Sequence, residues 1–233
     1  MKRKLNMLGL AIAAVGALAA FGAAGAQAVA PEFHCTSTTE NCVLTAQSND
    51  HVFSFQGGTF KCIENGGVKG ARSEATIPKT ASSITVTTAL GNAGKGCTFL
   101  GASLVPNMKS CDLVYNLVAG SLPPTATVDI KCNTAGDAIT FTAASLPCTL
   151  TLGPQTGIGH IVFTNSGGAE PTHVKAEKTT SKIKYTATGV GCPKPGTFED
   201  GQITGTTTIE GFNDEGVGGP PYKMGSKVGF HVF

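Results

Sequence analysis

Eight cysteines constrain the fold of this chain more than any other feature of its sequence. They are Cys35, Cys42, Cys62, Cys97, Cys111, Cys132, Cys148 and Cys192. An even number of cysteines behind a leader-like N-terminus predicts up to four disulfides in an oxidising compartment. A structural zinc site is the alternative, but no two of these cysteines have the C-x₂₋₄-C spacing that such sites usually use.

The phase of the cysteines relative to their apolar neighbours places several bridges near a core. Four of them stand two residues from an apolar side chain, in the pairs Phe60 and Cys62, Cys111 and Leu113, Ile130 and Cys132, and Cys148 and Leu150. Residues two apart share one face of a strand, so we expect these sulfurs to face inward. Proximity in the sequence predicts that Cys35 pairs with Cys42 and that Cys132 pairs with Cys148. The pairing of the other four cysteines stays open.

The first 28 residues have the three parts of a secretory signal peptide. Residues 2–4 are all basic, an apolar run follows from Met7, and residues 26–28 form an Ala-Gln-Ala cleavage site. An uncleaved membrane anchor is the alternative, but alanine and glycine make the run only weakly hydrophobic. We expect secretion to the medium or the cell surface, with cleavage after Ala28.

The charge of the predicted mature chain argues against two classes of partner. The leader holds three of the 17 basic residues and none of the 15 acidic ones, which leaves a net charge of about −1 in the mature chain. Nucleic acids and anionic membrane surfaces both attract clustered lysine and arginine. The charge therefore predicts no nucleic-acid partner and no electrostatic binding to a membrane surface. We also predict no integral membrane association and, without a P-loop or dinucleotide-binding glycine pattern, no cofactor.

Apolar and polar residues alternate with a period of two along much of the chain. In ATVDIKC, for example, Val128 and Ile130 share one face while Asp129 and Lys131 share the other. The segments AITFTA, CTLTL, KIKYTA and HIVFTN alternate in the same way, and clusters of glycine, proline and asparagine separate the runs. This pattern predicts an all-β fold, an antiparallel β-sandwich or barrel-like domain stabilised by disulfides.

No linker clearly divides the mature chain into two folded parts. Its length fits one sizeable β domain. We predict a signal peptide at residues 1–28, a loosely attached N-terminal segment at 29–50 and a single all-β domain at 51–233.

The stretch GTFEDGQITGTTTIEG, residues 196–211, raises the question of an acidic metal site. The candidate calcium ligands would be Glu199, Asp200, Asp214 and Glu215. Calcium needs several converging oxygens, and these carboxylates lack EF-hand or D-x-D-x-D spacing. Asp200 and Gly201 form a strong turn signal, and the residues after them alternate as a strand does. We therefore predict a turn followed by a strand, without a bound metal.

Catalytic motifs are missing around the five histidines, which are His34, His51, His160, His173 and His231. None lies in an H-x-x-x-H or H-E-x-x-H pattern, so zinc protease chemistry has no support. No G-x-S-x-G nucleophile elbow occurs, although the members of a Ser-His-Asp triad need not be close in sequence. His160 and His231 lie in strand-like runs. We predict no catalytic, cofactor-binding or metal-binding residue.

The cysteines stand in a specific order among recognisable segments. These are GTFKC at 58–62, GC at 96–97, Cys111, VDIKC at 128–132, CTLTLGPQTG at 148–157, HIVFTNSG at 160–167, IKYTATGVGC at 183–192 and the stretch at 196–211. Together they resemble a group of exported bacterial β-rich proteins to which no activity is assigned. The likeness spans about residues 50–232. It implies secretion and a disulfide-braced β fold, and it implies no ligand or site residue.

The low charge and the threonine-rich strand faces favour a structural, adhesive or binding role over catalysis. We expect a secreted domain at the cell surface or in the medium. Its partner stays open, and a cell-wall or surface component is one candidate. A secreted hydrolase with a dispersed active site is one alternative, and a pocket with a strongly shifted histidine or carboxylate pKa would favour it. A small-ligand carrier is another alternative, which a hollow barrel with an apolar interior would favour.

Overall fold

Strands make up all of the regular secondary structure in the described chain. The computed structural model describes residues 30–64, 73–86, 97–143, 145–168, 171–215 and 224–233. Within these ranges it has seventeen strands and no helix. Consequently, this part of the chain holds no helix with the length and hydropathy needed to cross a lipid bilayer. The predicted signal peptide lies outside the described residues.

The seventeen strands vary widely in length. Those before residue 100 are β1 (Phe33–Cys35), β2 (Asn41–Phe55), β3 (Gly58–Glu64), β4 (Ser73–Pro78), β5 (Thr80–Ala81), β6 (Ser83–Val86) and β7 (Cys97–Phe99). The next are β8 (Ala102–Asn107), β9 (Cys111–Val118), β10 (Thr125–Cys132), β11 (Ile139–Ala143) and β12 (Thr149–Leu152). The last are β13 (Gln155–Ser166), β14 (His173–Thr188), β15 (Gly196–Asp214), β16 (Met224–Val228) and β17 (Phe230–Val232).

Eight antiparallel strands close into a barrel. Around the ring the order is β15, β2, β3, β7, β8, β11, β12 and β14, and β14 pairs with β15 to close it. Closure leaves no free edge around the ring. The predicted all-β, antiparallel, disulfide-stabilised class is confirmed, and the architecture is a barrel with additional outer strands.

The predicted alternation is confirmed where it directs apolar side chains into the barrel. Ile139 and Phe141 of β11 and Leu150 of β12 are 3%, 4% and 2% exposed. Successive side chains of a strand point to opposite faces, so the threonines between them face outward. Burying each large apolar side chain contributes about 1.5–3 kcal/mol relative to leaving it exposed, which makes this inward face the main stabilising feature of the strands.

Aromatic rings fill the barrel. The ring of Phe60 lies 4.8 Å from that of Phe53 and 4.9 Å from that of Phe141, measured between centroids. Tyr185 meets Phe53 edge-on at 6.1 Å. A barrel of eight strands is just wide enough for side chains to fill. Its interior is therefore a packed core rather than a ligand-sized lumen.

Three of the barrel strands are long enough to build a second sheet. β2, β14 and β15 contain 15, 16 and 19 residues. Beyond the barrel they pair with β4, β13 and β16, and the sheet continues from β13 through β10 and β9 to β6. A small sheet of order β17–β1–β5 lies against it, where Phe33 meets Phe163 edge-on at 5.3 Å. The described chain thus has two hydrophobic cores, and β2, β14 and β15 run from one to the other.

Residues 30–50, which the sequence sets apart from the main domain, form β1 and most of β2. β1 pairs with β17 on one side and with β5 on the other. The first half of β2 pairs with β4 and β15. Phe33, Cys42 and Val43 are fully buried, so this part of the chain is built into the second core.

All eight cysteines form disulfides, which confirms the predicted framework. The bridges are Cys35–Cys42, Cys62–Cys97, Cys111–Cys132 and Cys148–Cys192. The predicted pair Cys35–Cys42 is correct, and the predicted pair Cys132–Cys148 is wrong. Four disulfides indicate an oxidising compartment, because thiols stay reduced in the cytosol.

The pairing of Cys132 with Cys148 fails because the strands that carry or adjoin them, β10 and β12, do not pair with each other. Cys132 ends β10 in the second sheet, directly opposite Cys111 on β9. Cys148 precedes β12 in the barrel, and β12 pairs with β14, whose following turn carries Cys192. Cys132 is therefore bridged across the ladder of the consecutive strands β9 and β10, and Cys148 across the neighbouring barrel strands β12 and β14.

The predicted turn at residues 199–201 is also wrong. β15 runs without a break from Gly196 to Asp214. Gly201 lies opposite a register shift in β14, where a Cβ on the glycine would stand 2.9 Å from the carbonyl oxygen of Ile183. Glycine in a strand often marks such a close approach of another backbone. Because Asp200 and Asp214 lie near opposite ends of one strand, the four candidate calcium ligands do not converge.

Candidate functional site

The barrel and the second sheet separate along the part of β14 that lies between its pairing with β13 and its pairing with β12. We call this part of the fold the seam. β14 pairs with β13 up to Thr179 and with β12 from Thr186 onward. Between these positions, the strand pairings of the described chain leave residues 180–185 of β14 with no strand on this side. Two spaces border the seam, an open polar groove and an apolar cavity.

The open space is a groove of about 640 Å³, which we call the seam groove. Its walls are residues 154–160 on one side and Thr179, Ser181, Lys182 and Lys184 on the other. This volume is within the range of small-molecule sites, which is about 300–1,000 Å³. The lining side chains, all in the described chain, include two lysines and a histidine and no carboxylate. The groove therefore presents positive charge and hydroxyl groups.

The side-chain amide of Gln155 closes one end of the unpaired stretch. Its Oε1 accepts the N–H of Lys184 at 2.9 Å, and its Nε2 donates to the carbonyl oxygen of Lys184 at 3.0 Å. A peptide group of a neighbouring strand would make the same two bonds. Gln155 thus ties the second sheet to the barrel and fixes one wall of the groove.

Unusual backbone conformations are concentrated at the seam groove. Gly157, Gly159 and Lys182 have φ angles of 64°, 79° and 60°. Lys182 is one of three non-glycine residues in the described chain with a positive φ. The register of β14 against β15 also shifts between Thr180 and Ile183. Bulges of this kind re-aim side chains and are frequent beside functional sites, and here the bulge places Lys182 in the groove wall.

Replacing Gly159 with alanine is expected to lower the free energy of unfolding by about 3 kcal/mol. The positive φ disfavours any side chain, and a Cβ here would stand 2.1 Å from Cγ2 of Thr180. Gly136 has a similar φ of 83° with nothing within 4 Å of a Cβ, so Gly136→Ala should cost only about 1 kcal/mol. Urea denaturation of both variants measures the difference. If both variants lose the same free energy of unfolding, the close approach of Thr180 is not the reason that position 159 requires glycine.

The second space is an apolar cavity of about 80 Å³, which we call the inner cavity. It lies between the two cores, with Phe141 and Leu152 of the barrel on one side and Val128 and Ile161 of the second sheet on the other. Ile158 lines both this cavity and the seam groove. The two spaces therefore border the same short stretch of β13.

His51 lines the inner cavity and is only 7% exposed. Its Nε2 lies 3.0 Å from the hydroxyl of Thr207, which is 1% exposed. Burial, and to a lesser extent the positive charge of Lys178, lowers the pKa of His51 from 6.5 to about 3. The imidazole is therefore neutral at physiological pH and hydrogen-bonded within an apolar environment.

The shifted pKa of His51 is the sign that would favour the hydrolase alternative, but its surroundings argue against catalysis. A nucleophile must be reachable by substrate, and the hydroxyl beside this imidazole is almost completely buried. Among the described residues, no group of three or more histidine, cysteine, aspartate or glutamate side chains could hold a metal ion. Buried histidines with a hydrogen-bond partner are common in protein interiors, and His51 fits that structural role.

Two of the other histidines lie opposite each other on the paired strands β1 and β17. The rings of His34 and His231 stack with their centroids 5.4 Å apart on β1 and β17, and His34 Nε2 lies 3.4 Å from Glu32 Oε2. Burial, followed by the effect of His34, lowers the pKa of His231. His160 is on an exposed position of the seam groove, so it is the one of the five that borders the candidate binding surface.

The lysines of the seam groove are functional candidates that the sequence motifs did not identify, and neither did these motifs identify the buried, hydrogen-bonded position of His51. A signal for His51 exists in HVFSF, where it alternates with Phe53 and Phe55 and so shares their inward face. Lys182 and Lys184 share the polar face of KIKYTA, but the unpaired seam beside them depends on contacts between distant strands.

No protein-family model, curated protein or solved structure matches this chain. The functional argument therefore rests on the seam groove, the inner cavity and the disulfide framework.

Proposed function

We propose that this protein is an exported, disulfide-braced binding domain that holds an acidic polymer of the cell surface in the seam groove. The observation that carries the proposal is a ligand-sized groove with two lysines and no carboxylate in its described walls. The groove forms at the seam between the barrel and the second sheet. There the positive φ of Lys182 and the register shift of β14 place the Lys182 side chain in the groove wall.

Export is supported by three features. The four disulfides need an oxidising environment to form and persist. The N-terminal 28 residues have the basic start, apolar run and cleavage site of a bacterial signal peptide. The order of cysteine-containing segments resembles a group of exported bacterial β-rich proteins. A site outside the cell would place the groove in contact with surface polymers.

The side chains of the groove favour an acidic ligand over a neutral sugar. Neutral sugars usually stack on aromatic rings, and no aromatic side chain other than the imidazole of His160 lines the described groove. Lys182 is exposed, and Lys184 Nζ lies 2.9 Å from Glu199 Oε1 in a pair whose side chains are 64% and 68% exposed. Exposed pairs of this kind contribute little, so a ligand carboxylate or phosphate can replace Glu199 at low cost.

The two alternatives have less support in the described structure. A carrier would require space for a ligand within the barrel, but aromatic rings occupy that interior. A hydrolase would require a reachable nucleophile and base, but the hydroxyl beside His51 is buried. A binding role needs only the groove and a rigid support for it.

The proposal is tested by binding of the purified, oxidised mature protein to isolated cell walls. Lys182→Glu should weaken retention about tenfold or more, because a charged hydrogen bond contributes about 1.5–3 kcal/mol. Lys61→Glu makes the same charge change at an exposed position on β3, outside the groove, and should bind like the wild type. Equal retention of all three proteins would show that the groove does not hold the polymer.

Fractionation of the source cells tests the location separately. The native protein should be recovered from the cell wall and should be released progressively by salt, because binding through lysine is screened. Recovery of the whole pool from the medium would contradict a role at the cell surface.

A further inference from the structure

Four turns meet at one end of the barrel, which we call the turn end. They are residues 56–57 between β2 and β3, 100–101 between β7 and β8, 145–148 before β12, and 189–195 between β14 and β15. The pairing of β3 with β7 brings the first turn beside the second. A Cβ on Gly57 would stand 2.7 Å from Cβ of Pro193, and the N–H of Gly191 donates to the carbonyl oxygen of Pro147 at 3.2 Å. The turns therefore form one continuous surface.

Large apolar side chains project from the turn end into solvent. Val190 is 94% exposed and Leu100 is 71% exposed. Pro147 and Pro193 are exposed beside them. The described residues of the four turns include one charged side chain, that of Lys194, and no carboxylate. Apolar residues scattered singly over a surface are ordinary, but a group of them at one place marks a surface that another molecule or a membrane covers.

Leucine is an unfavourable residue for its position in the second turn. Phe99 pairs with Ala102, so Leu100 and Gly101 form a two-residue hairpin turn. Their φ angles are 50° and 79°. Two positive φ angles are the mark of a type I′ turn, which strongly prefers asparagine followed by glycine. A bulky side chain at positive φ strains the backbone, and strain of this kind is concentrated at functional positions. The protein thus keeps an exposed leucine where a polar residue would stabilise the turn.

The exposure and the charge of the turn end favour a lipid surface as the partner. Side chains that protrude this far can enter lipid without a fitted pocket. Lys194 Nζ lies 3.4 Å from Gln56 Oε1 and 5.4 Å from the centroid of the Phe198 ring. The contact with Gln56 is long and exposed, so a lipid phosphate can replace it at low cost. Glu199 and Asp200 follow farther along β15, so the charge that the turns themselves present is positive and complements an anionic headgroup.

We propose that the turn end is a shallow membrane-contact site, at which Leu100 and Val190 enter the headgroup region of an anionic lipid bilayer and Lys194 binds a lipid phosphate. One lysine attracts such a surface only weakly, so burial of the two apolar side chains supplies most of the affinity. The turns hold the protein at the bilayer surface and do not cross the bilayer. The site is independent of the seam groove and of the polymer proposed to bind there.

Co-sedimentation of the oxidised mature protein with vesicles of equal parts phosphatidylcholine and phosphatidylglycerol tests the membrane contact. Leu100→Asn should weaken binding about tenfold, because one leucine side chain is no longer buried in lipid. The same variant should not lower the free energy of unfolding, because asparagine suits the positive φ of this turn. Leu122→Asn makes the same change at a 92% exposed leucine before β10 and should bind like the wild type.

Removal of the lysine charge tests the role of the anionic headgroup. Lys194→Gln should weaken binding to these vesicles about fivefold and leave binding to pure phosphatidylcholine unchanged. Lys182→Gln removes one charge from the seam groove and should bind both kinds of vesicle like the wild type. Absence of vesicle binding by the wild type, or equal binding by Leu100→Asn and the wild type, would overturn the proposal. So would a dimer of the wild type in vesicle-free sedimentation that Leu100→Asn abolishes, because a second copy would then cover the turn end.

Discussion

Replacing both Cys148 and Cys192 with alanine is expected to lower the free energy of unfolding by about 4 kcal/mol. The bridge closes a loop of 44 residues, and the chain-entropy relation for disulfides gives this value for a loop of that length. It also joins the start of β12 to the turn after β14, two neighbouring strands of the barrel. For a chain of 150–250 residues, the loss corresponds to a melting temperature lower by about 10 °C.

The matched control is the double replacement of Cys35 and Cys42. This bridge spans only seven residues, so the same relation gives about 2 kcal/mol. All four residues are buried, which makes the loss of side-chain packing similar in the two variants. Urea denaturation of the oxidised proteins measures both values. A larger loss for the short loop than for the long one would refute loop closure as the main source of stabilisation.

Acidification is expected to destabilise the protein through His51. The imidazole takes up a proton near pH 6.5 when the chain is unfolded but only near pH 3 when it is folded. The unfolded state therefore binds more protons between these values, and stability falls as the pH drops from about 6.5 to about 3. At 1.36 kcal/mol for each pH unit, the contribution of this residue between pH 7 and pH 4 is about 3 kcal/mol.

Histidine variants separate the contribution of His51 to the pH dependence of stability from the contribution of the carboxylates. His51→Gln should reduce the difference in unfolding free energy between pH 7 and pH 4 by about 3 kcal/mol. His160→Gln makes the same substitution at an exposed position on β13 and is the matched control for the change of residue type. Denaturation curves at the two pH values provide the measurement. An unchanged pH dependence in His51→Gln would mean that the imidazole is not buried in its neutral form.

The sequence predicted the strands well because their pattern is local. Alternation over four to eight residues is enough to place Ile139 and Phe141 inward, and the same pattern places Ile183 and Tyr185 inward on β14. It could not reveal how the strands close. The pairing of β14 with β15 completes the barrel. The second sheet forms because β2, β14 and β15 extend beyond the barrel.

The errors in the sequence analysis have a common physical cause. Asp200 and Gly201 have the chemistry of a turn, but Asp200 accepts a hydrogen bond from the Tyr185 hydroxyl at 3.1 Å within a continuous strand. Cys132 is close to Cys148 in sequence, but it pairs with Cys111 across an antiparallel ladder. In each case a contact between neighbouring strands overrides the local signal.

The candidate site depends even more strongly on contacts between distant residues. The seam exists because β14 changes partner from β13 to β12, and Gln155 bridges the gap with its side chain. No spacing of residues in the sequence encodes that change of partner. The inward phase of His51 could be read from HVFSF, but the apolar cavity beside it forms only where the two cores meet.

Titration of isotope-labelled mature protein with an acidic cell-wall polymer tests the seam groove most directly. Each backbone amide reports whether the polymer contacts its surroundings, so the spectrum locates the binding surface. We predict that the largest shifts occur at residues 155–160 and 179–184 and that Lys182→Glu reduces them strongly at the same polymer concentration. Shifts confined to another surface, or no shifts at concentrations where cell walls retain the protein, would contradict binding in the groove.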